Sequence, residues 1–321
     1  MATRSRIMTT APGTRPEAFG ATEWSLVMLT AGIWGSSFVL IAAGLDAFAP
    51  PIVTFARLAF GAVTMSILPG AKQRIAREDW PRVVVLALIW TVIPFLLFPV
   101  AQQWVDSSVA GMINGVVPVL AAVIAALLLR RLPGPAQVAG IAVGFVGVVL
   151  IAVPNVVGTD ASPLGIALLL VAVSCYALST NLAVPLQQRY GALAVLLRVL
   201  WVGVAVTAPI AALAVPHSEW SVESAAAMVP LGALGTGVAF LWFVTLLGRA
   251  GATRGAIAVY LTPLFAILLG VVIRGESVHA VSMAGSGLVL IGAWLTGRGE
   301  TTAEDASPGG VPADGIVPLE P

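Results

Sequence analysis

Long unbroken apolar runs alternate along this chain with short polar or Pro/Gly-rich breaks. Cutting at the breaks gives ten segments, at 24–45, 51–69, 83–104, 107–129, 136–153, 164–186, 192–215, 225–247, 253–273 and 280–297. Most are about twenty residues long, the length a helix needs to cross roughly 30 Å of hydrocarbon. The runs are continuous, whereas barrel strands would alternate apolar and polar positions over about ten residues. In hydrocarbon every backbone N–H and C=O must be satisfied within the protein, so helices remain. The pattern predicts an all-α polytopic membrane protein with ten transmembrane helices. The segment 107–129 is the least separated, since only a short turn divides it from 83–104.

Composition supports this reading. The 321 residues are 59% hydrophobic and 10% charged, with a mean hydropathy of +0.99. A soluble domain carries roughly a quarter charged residues. The bilayer is the expected solvent. Residues 1–23 are polar and read as a disordered cytoplasmic N-terminal tail, running into a full-length span that is expected to stay as a helix. Residues 298–321 are rich in Gly, Pro and acids and read as a disordered cytoplasmic C-terminal tail. The lone cysteine, Cys175, excludes an internal disulfide. One lysine, Lys72, among sixteen basic residues fits a GC-rich bacterial coding sequence.

Charge placement tests the cut independently. With a cytoplasmic N-terminus, the inside segments hold Arg4, Arg6, Arg15, Lys72, Arg74, Arg77, Arg82, Arg130, Arg131, Arg189, Arg249, Arg254 and Arg298, while the outside loops hold only Arg274. The positive-inside rule asks for such an asymmetry, and removing any one span scrambles it. Both termini are expected in the cytoplasm of a bacterial cell, with the chain in its plasma membrane.

The two halves repeat. At an offset of 145, Thr91 pairs with Thr236, Phe95 with Phe240, Phe98 with Phe243, Pro118 with Pro263, Gly140 with Gly285 and Gly147 with Gly292. Slightly smaller offsets pair Trp34 with Tyr176 and Arg57 with Arg198. The division is 24–153 and 164–297, five spans each. An odd number of spans forces the second copy to enter the membrane inverted. Inverted repeats give secondary transporters two near-equivalent packings around a central site.

The stretch GRAGATRGAIAVYLTPLFAILLGVVIRGESVHAVSMAGSGLVLIGAWL (248–295) runs from a basic loop through a span with central Pro263 and Gly275-Glu276 to a Gly-rich last span. Together with AGIWGSSFVLI (31–41) and FARLAFGA (55–62), it resembles the EamA family of the drug/metabolite transporter superfamily. The likeness covers about residues 24–297. It implies ten helices, cytoplasmic termini, and export or exchange of amino acids, other metabolites or drugs. One departure stands out: Arg131 occupies the position equivalent to Glu276, where the family usually carries an acid.

The residues that could carry function follow from what hydrocarbon tolerates. Arg57 and Arg198 lie within spans, where an ionised group is costly. They either anchor a neighbouring helix or line a path for an anionic group. Pro118 and Pro263 each remove a helical hydrogen bond at mid-span, with Asn114 and Tyr260 shortly before them. Trp34, Ser37, Tyr176 and Asn181 lie on the first helix of each copy, and Thr91, Phe95, Thr236 and Phe240 repeat the aromatic-plus-hydroxyl theme. Such walls suit an apolar amino acid or a drug-like solute. For each group, plain helix packing is the competing reading. Gly140, Gly144 and Gly147 read as a packing stripe.

Absences narrow the chemistry. No span interior contains Asp, Glu or His, so proton coupling has no obvious deep carboxylate; facilitated diffusion, exchange or coupling through Glu276 stay open. No phosphate-cradling loop, HExxH or GxSxG is present, so no ATP-driven or enzymatic role and no metal or cofactor is expected. The expected partners are the lipid bilayer and a small-molecule substrate, without nucleic acid; a homodimer is left open. The expectation is a secondary transporter, the alternative being a membrane scaffold or sensor.

Overall fold

The apolar runs fold as helices in a computed structural model that describes residues 20–129, 134–157, 163–250 and 257–305. No strand occurs among the described residues. Helix α1 spans Ala21–Leu45 and α2 spans Pro50–Ser66. The Pro50-Pro51 start of α2 uses residues whose missing N–H the first turn does not need. The third rod is composite: α3 (Trp80–Ala87), a π-helical turn (Leu88–Val92) and α4 (Ile93–Ala101) follow one another directly. Helices α5 (Ser107–Asn114) and α6 (Val117–Leu129) form one rod interrupted at Gly115-Val116, just before Pro118.

The second half follows α7 (Pro135–Val157) and begins with α8 (Pro163–Tyr190) and α9 (Ala192–Ala214). A second composite rod joins α10 (Val222–Gly232), a π turn (Ala233–Val238) and α11 (Ala239–Ala250). Helix α12 (Ile257–Arg274) and α13 (Ala280–Asp305) complete the described chain. The two π turns start at Leu88 and Ala233, in the register at which the sequence repeats. Composition and periodicity had not indicated them.

Among the described residues, seven rods are long and apolar enough to cross a membrane: Ala21–Leu45, Arg77–Ala101, Ser107–Leu128, Pro163–Tyr190, Ala192–His217, Val222–Leu247 and Ile257–Arg274. Shorter apolar helices occupy Pro135–Ile151 and Ala280–Leu295, and α2 is 17 residues long. Large apolar side chains such as Phe145, Leu127, Leu213 and Val272 stand exposed on the outside. That surface suits lipid, where outward apolar groups cost nothing.

Packing places specific pairs side by side. Helix α1 lies along α12, α2 along α9, α4 along α8, and α7 along α13. The α7–α13 seam has bare backbone in contact: a Cβ on Gly147 would sit 2.6 Å from the Gly285 carbonyl, and one on Gly292 2.6 Å from that of Gly140. Small residues give this close approach, as the glycine stripe predicts. Near the centre, Gly61 of α2 touches Thr236 of the second π turn, and Gly203 of α9 touches Thr91 of the first. Each half thus seats its second helix on the other half's π turn.

Candidate functional site

Arg57 sits midway along α2, half-buried, and gathers a site around itself. Its Nε donates to Thr236 Oγ1 at 3.2 Å, and its guanidinium lies over the Phe95 ring, 4.0 Å from the centroid. Thr54, one turn earlier, donates to the Phe95 carbonyl at 2.7 Å and so fixes α4 against α2. Phe95 meets Tyr176 of α8 edge-on at 6.3 Å, and Tyr176 stacks on Phe98 at 5.8 Å. The Tyr176 hydroxyl lies within electrostatic range of the guanidinium. Four elements therefore converge here: α2 and α4 from the first half, α8 and the second π turn from the other.

A second aromatic arc continues the wall. Trp34 packs on Phe243 at 4.9 Å, Phe243 on Phe240 at 6.5 Å, and Phe240 on Trp90 at 5.4 Å. The Trp34 indole donates to the Gly235 carbonyl at 3.1 Å, and Ser37 lies against Gly235. The pair Trp34–Phe243 is the repeat counterpart of Tyr176–Phe98. Trp90, Phe98, Phe243 and Thr54 were not among the residues singled out from sequence. The recurrence of Phe98 and Phe243 was the available signal.

The other singled-out residues fall elsewhere. Asn181 donates to the Ala121 carbonyl of α6 at 3.2 Å and to that of Ala177 at 3.0 Å, a brace between helices. Tyr260 donates to the Ala293 carbonyl at 3.2 Å, tying α12 to α13. Thr91 is satisfied within its own rod by Ala87. Asn114 is half-buried, and its amide has no hydrogen-bond partner among the described residues. Pro118 follows it at the α5–α6 interruption and removes the donor that would serve the Asn114 carbonyl. Pro263 is buried inside an unbroken α12, against Gly115.

The two arginines that the sequence pairs have different surroundings. Arg198 donates to the Ala71 and Lys72 carbonyls, closing the short 3-10 turn Pro69–Lys72. The matched contacts of Gly61 and Gly203 set the register of α2 and α9 at 142, at which Arg57 falls on Val199. Arg198 is one residue away and so rotated by about 100° around its helix.

Polar clamps join the halves at both ends of the bundle. Where α1 starts, Glu23 pairs with Arg249 at 2.6 Å, and buried Asp79 accepts from Arg189 (2.7 Å), Tyr190 (2.8 Å) and Arg82 (3.0 Å). At the opposite end Asp46 holds Arg274 with two bonds, at 2.6 and 2.9 Å. There Glu276 caps α5, accepting from the Ser107 N–H (2.9 Å), the Ser107 hydroxyl (2.5 Å) and the Ser108 N–H (2.8 Å). A carboxylate is favourable at a helix N-terminus, where unpaired N–H groups point outward. Burial and the Glu276 charge hold the Asp106 carboxyl beside it above its ordinary range. Arg130-Arg131, which the sequence sets opposite Gly275-Glu276, lies outside the described residues.

Comparison with known proteins gives this architecture a family. A sequence profile of the EamA-like transporter family matches residues 22–153 and again 163–298. An "Uncharacterized transporter" of Archaeoglobus fulgidus is 24% identical over 276 residues, covering 86% of this chain and 99% of that protein. A protein of Streptantibioticus cattleyicolor named "Probable terminal-alkyne amino-acid exporter" is 26% identical over 279 residues, covering 86% of this chain and 93% of its own length. A solved crystal structure shares the fold at a TM-score of 0.57 and 20% identity, over 89% of this chain and 99% of its own. With both halves matched in turn, this multi-pass membrane protein belongs to the EamA-like transporter family.

Proposed function

We propose that the chain is a secondary transporter of ten transmembrane helices, arranged as two inverted five-helix units, that exports or exchanges small metabolites, amino acids or drug-like solutes across a bacterial cytoplasmic membrane. The Arg57 site carries this reading. It is a cation in the membrane interior, framed by aromatic and hydroxyl side chains from both halves, and it makes no ion pair among the described residues. A scaffold would gain nothing from an unpaired charge at that depth, whereas a solute path would use it.

The inverted layout is supported by the π turns in repeat register and by the counterpart pairs Trp34–Phe243 and Tyr176–Phe98. Alternating access is the mechanism we propose, and the clamps support it, since each joins one half to the other at one end of the bundle. Opening one end requires breaking its clamps while those at the other hold. The likeness to an amino-acid exporter brings amino acids forward among the solutes.

The test is uptake and efflux of an amino-acid, metabolite and drug panel in proteoliposomes, with and without a pH gradient. Transport without the gradient is expected, because the acids of the described helices lie near bundle ends. Strict dependence on the gradient would overturn the exchange-or-diffusion reading. Reporter fusions after Ser66 and Ala214 would check topology, with the first expected inside and the second outside.

A further inference from the structure

We infer that the Arg57 site takes the carboxylate of a small monocarboxylic acid with an apolar or aromatic body, whether or not it also bears an amino group. This rests on the transporter reading above and names its substrate class.

Of the five N–H groups of Arg57, only Nε–H has a protein acceptor, Thr236 Oγ1. The four Nη hydrogens have none among the described residues. Among the described residues, each acid that could neutralise the charge is engaged or placed elsewhere. Glu23 holds Arg249, Asp46 holds Arg274, Asp79 holds Arg82 and Arg189, and Glu276 caps α5. Arg198 shows how a structural arginine looks in the same protein, with its Nη groups spent on two backbone carbonyls.

The geometry also orients the free edge. Stacking on Phe95 and the Nε bond to Thr236 fix the guanidinium plane from two sides. The remaining Nη edge is a fork that matches the two oxygens of a carboxylate. The Tyr176 hydroxyl has no partner among the described residues and can add a third donor.

Charge decides between ligand classes. A neutral solute leaves a half-buried cation uncompensated, which is costly within a span. A dianion leaves one negative charge unmatched, because no second cation lines the arcs. A monoanion closes the balance. The rings of Phe95, Phe98, Tyr176, Trp34, Phe240 and Phe243 then offer apolar contact to the rest of the molecule. No acid among the described residues faces the site to hold an ammonium, so an amino acid, whose own charges cancel, leaves one positive charge unmatched and binds less tightly than the plain acid of the same body.

The experiment uses full-length protein and four ligands that share one body: 3-phenylpropionate, phenylalanine, 3-phenylpropionamide and phenethylamine. Thermal shift in detergent reads binding, and counterflow in proteoliposomes reads transport. 3-Phenylpropionate is expected to raise Tm and to bind about a hundredfold more tightly than the amide and the amine, with phenylalanine between them. Arg57→Gln should remove that preference, and Arg57→Lys, which keeps charge but loses the fork, should weaken it about tenfold. If Arg57→Gln does not fold, the ligand series on the unaltered protein and the Arg57→Lys variant still decide. Equal binding of acid and amide, or no binding of either acid, overturns the inference. Transport of the amine or of another panel solute without the acids would leave the transporter reading standing and the carboxylate assignment wrong. Acid binding lost in Arg57→Gln, with no counterflow of any ligand, would do the reverse.

Discussion

Arg57 and Arg198 show how much one residue of helical phase decides. Both are charged, both lie six or seven positions into a helix, and the sequence sets them in near register. Rotation by about one residue turns Arg57 toward Phe95 and Thr236, and Arg198 toward the Pro69–Lys72 turn. Replacing Arg198 with leucine is therefore expected to lower folded yield and Tm by several degrees while leaving the KM of any transported solute unchanged. Thr236→Val removes the acceptor of Arg57 Nε at nearly constant shape. It should raise KM about tenfold or more, as loss of one charge-assisted hydrogen bond does, with little change in folded yield. Counterflow and size-exclusion profiles together check both variants. Arg57, Phe95, Tyr176 and Thr236 were legible in the sequence as intramembrane polar and aromatic residues. Their convergence was not, because the direction in which a side chain leaves its helix depends on tertiary rotation. Tyr260 and Asn181 had the same sequence credentials, yet they bond to the backbones of α13 and α6.

At the scale of elements, the apolar runs translated well, because segment length and polar breaks are set by the bilayer itself. The run at 107–129 is a rod with an interruption before Pro118, which a central proline announces. The π turns left no such mark. A widened turn needs only one extra residue; Leu88–Val92 is as apolar as the helix around it, and the two glycines of Ala233–Val238 could equally have marked close helix packing. The α7–α13 seam was readable from its glycines, and it yields a sharp expectation. A valine at Gly285 would thrust its Cβ to 2.6 Å from the Gly147 carbonyl. Overpacking of this kind costs about 1–3 kcal/mol, so Gly285→Val should lower Tm measurably, whereas Gly287→Ala, which meets nothing within 4 Å, should not.

For the whole molecule, the proposed alternating access makes the clamps the parts that have to move. Asp46–Arg274 and the Glu276 cap close one end, while Glu23–Arg249 and the Asp79 cluster close the other. Cysteines placed at Asp46 and Arg274 and joined by a reducible thiol cross-linker, with Cys175 replaced by serine, are expected to abolish transport and to restore it on reduction. Unimpaired turnover with the bridge intact would mean that this end does not open. The unpaired Arg57 adds a second expectation. Sealing an empty site traps a bare cation, whereas sealing a loaded one traps a neutral pair. Substrate on the far side of the vesicle should then speed efflux severalfold, a difference that efflux into buffer with and without solute would reveal.

The matched π turns also carry history. A π turn is one residue more than its helix needs, the trace of a single-codon insertion. The same surplus stands at the same register in both halves, Leu88–Val92 and Ala233–Val238, and one family profile matches each half separately. One event before duplication explains this with fewer steps than two independent events after it. The ancestral gene then encoded a single unit that already held the distorted turn. At the matched register Val199 stands where the first half has Arg57, so the two units differ at the site itself.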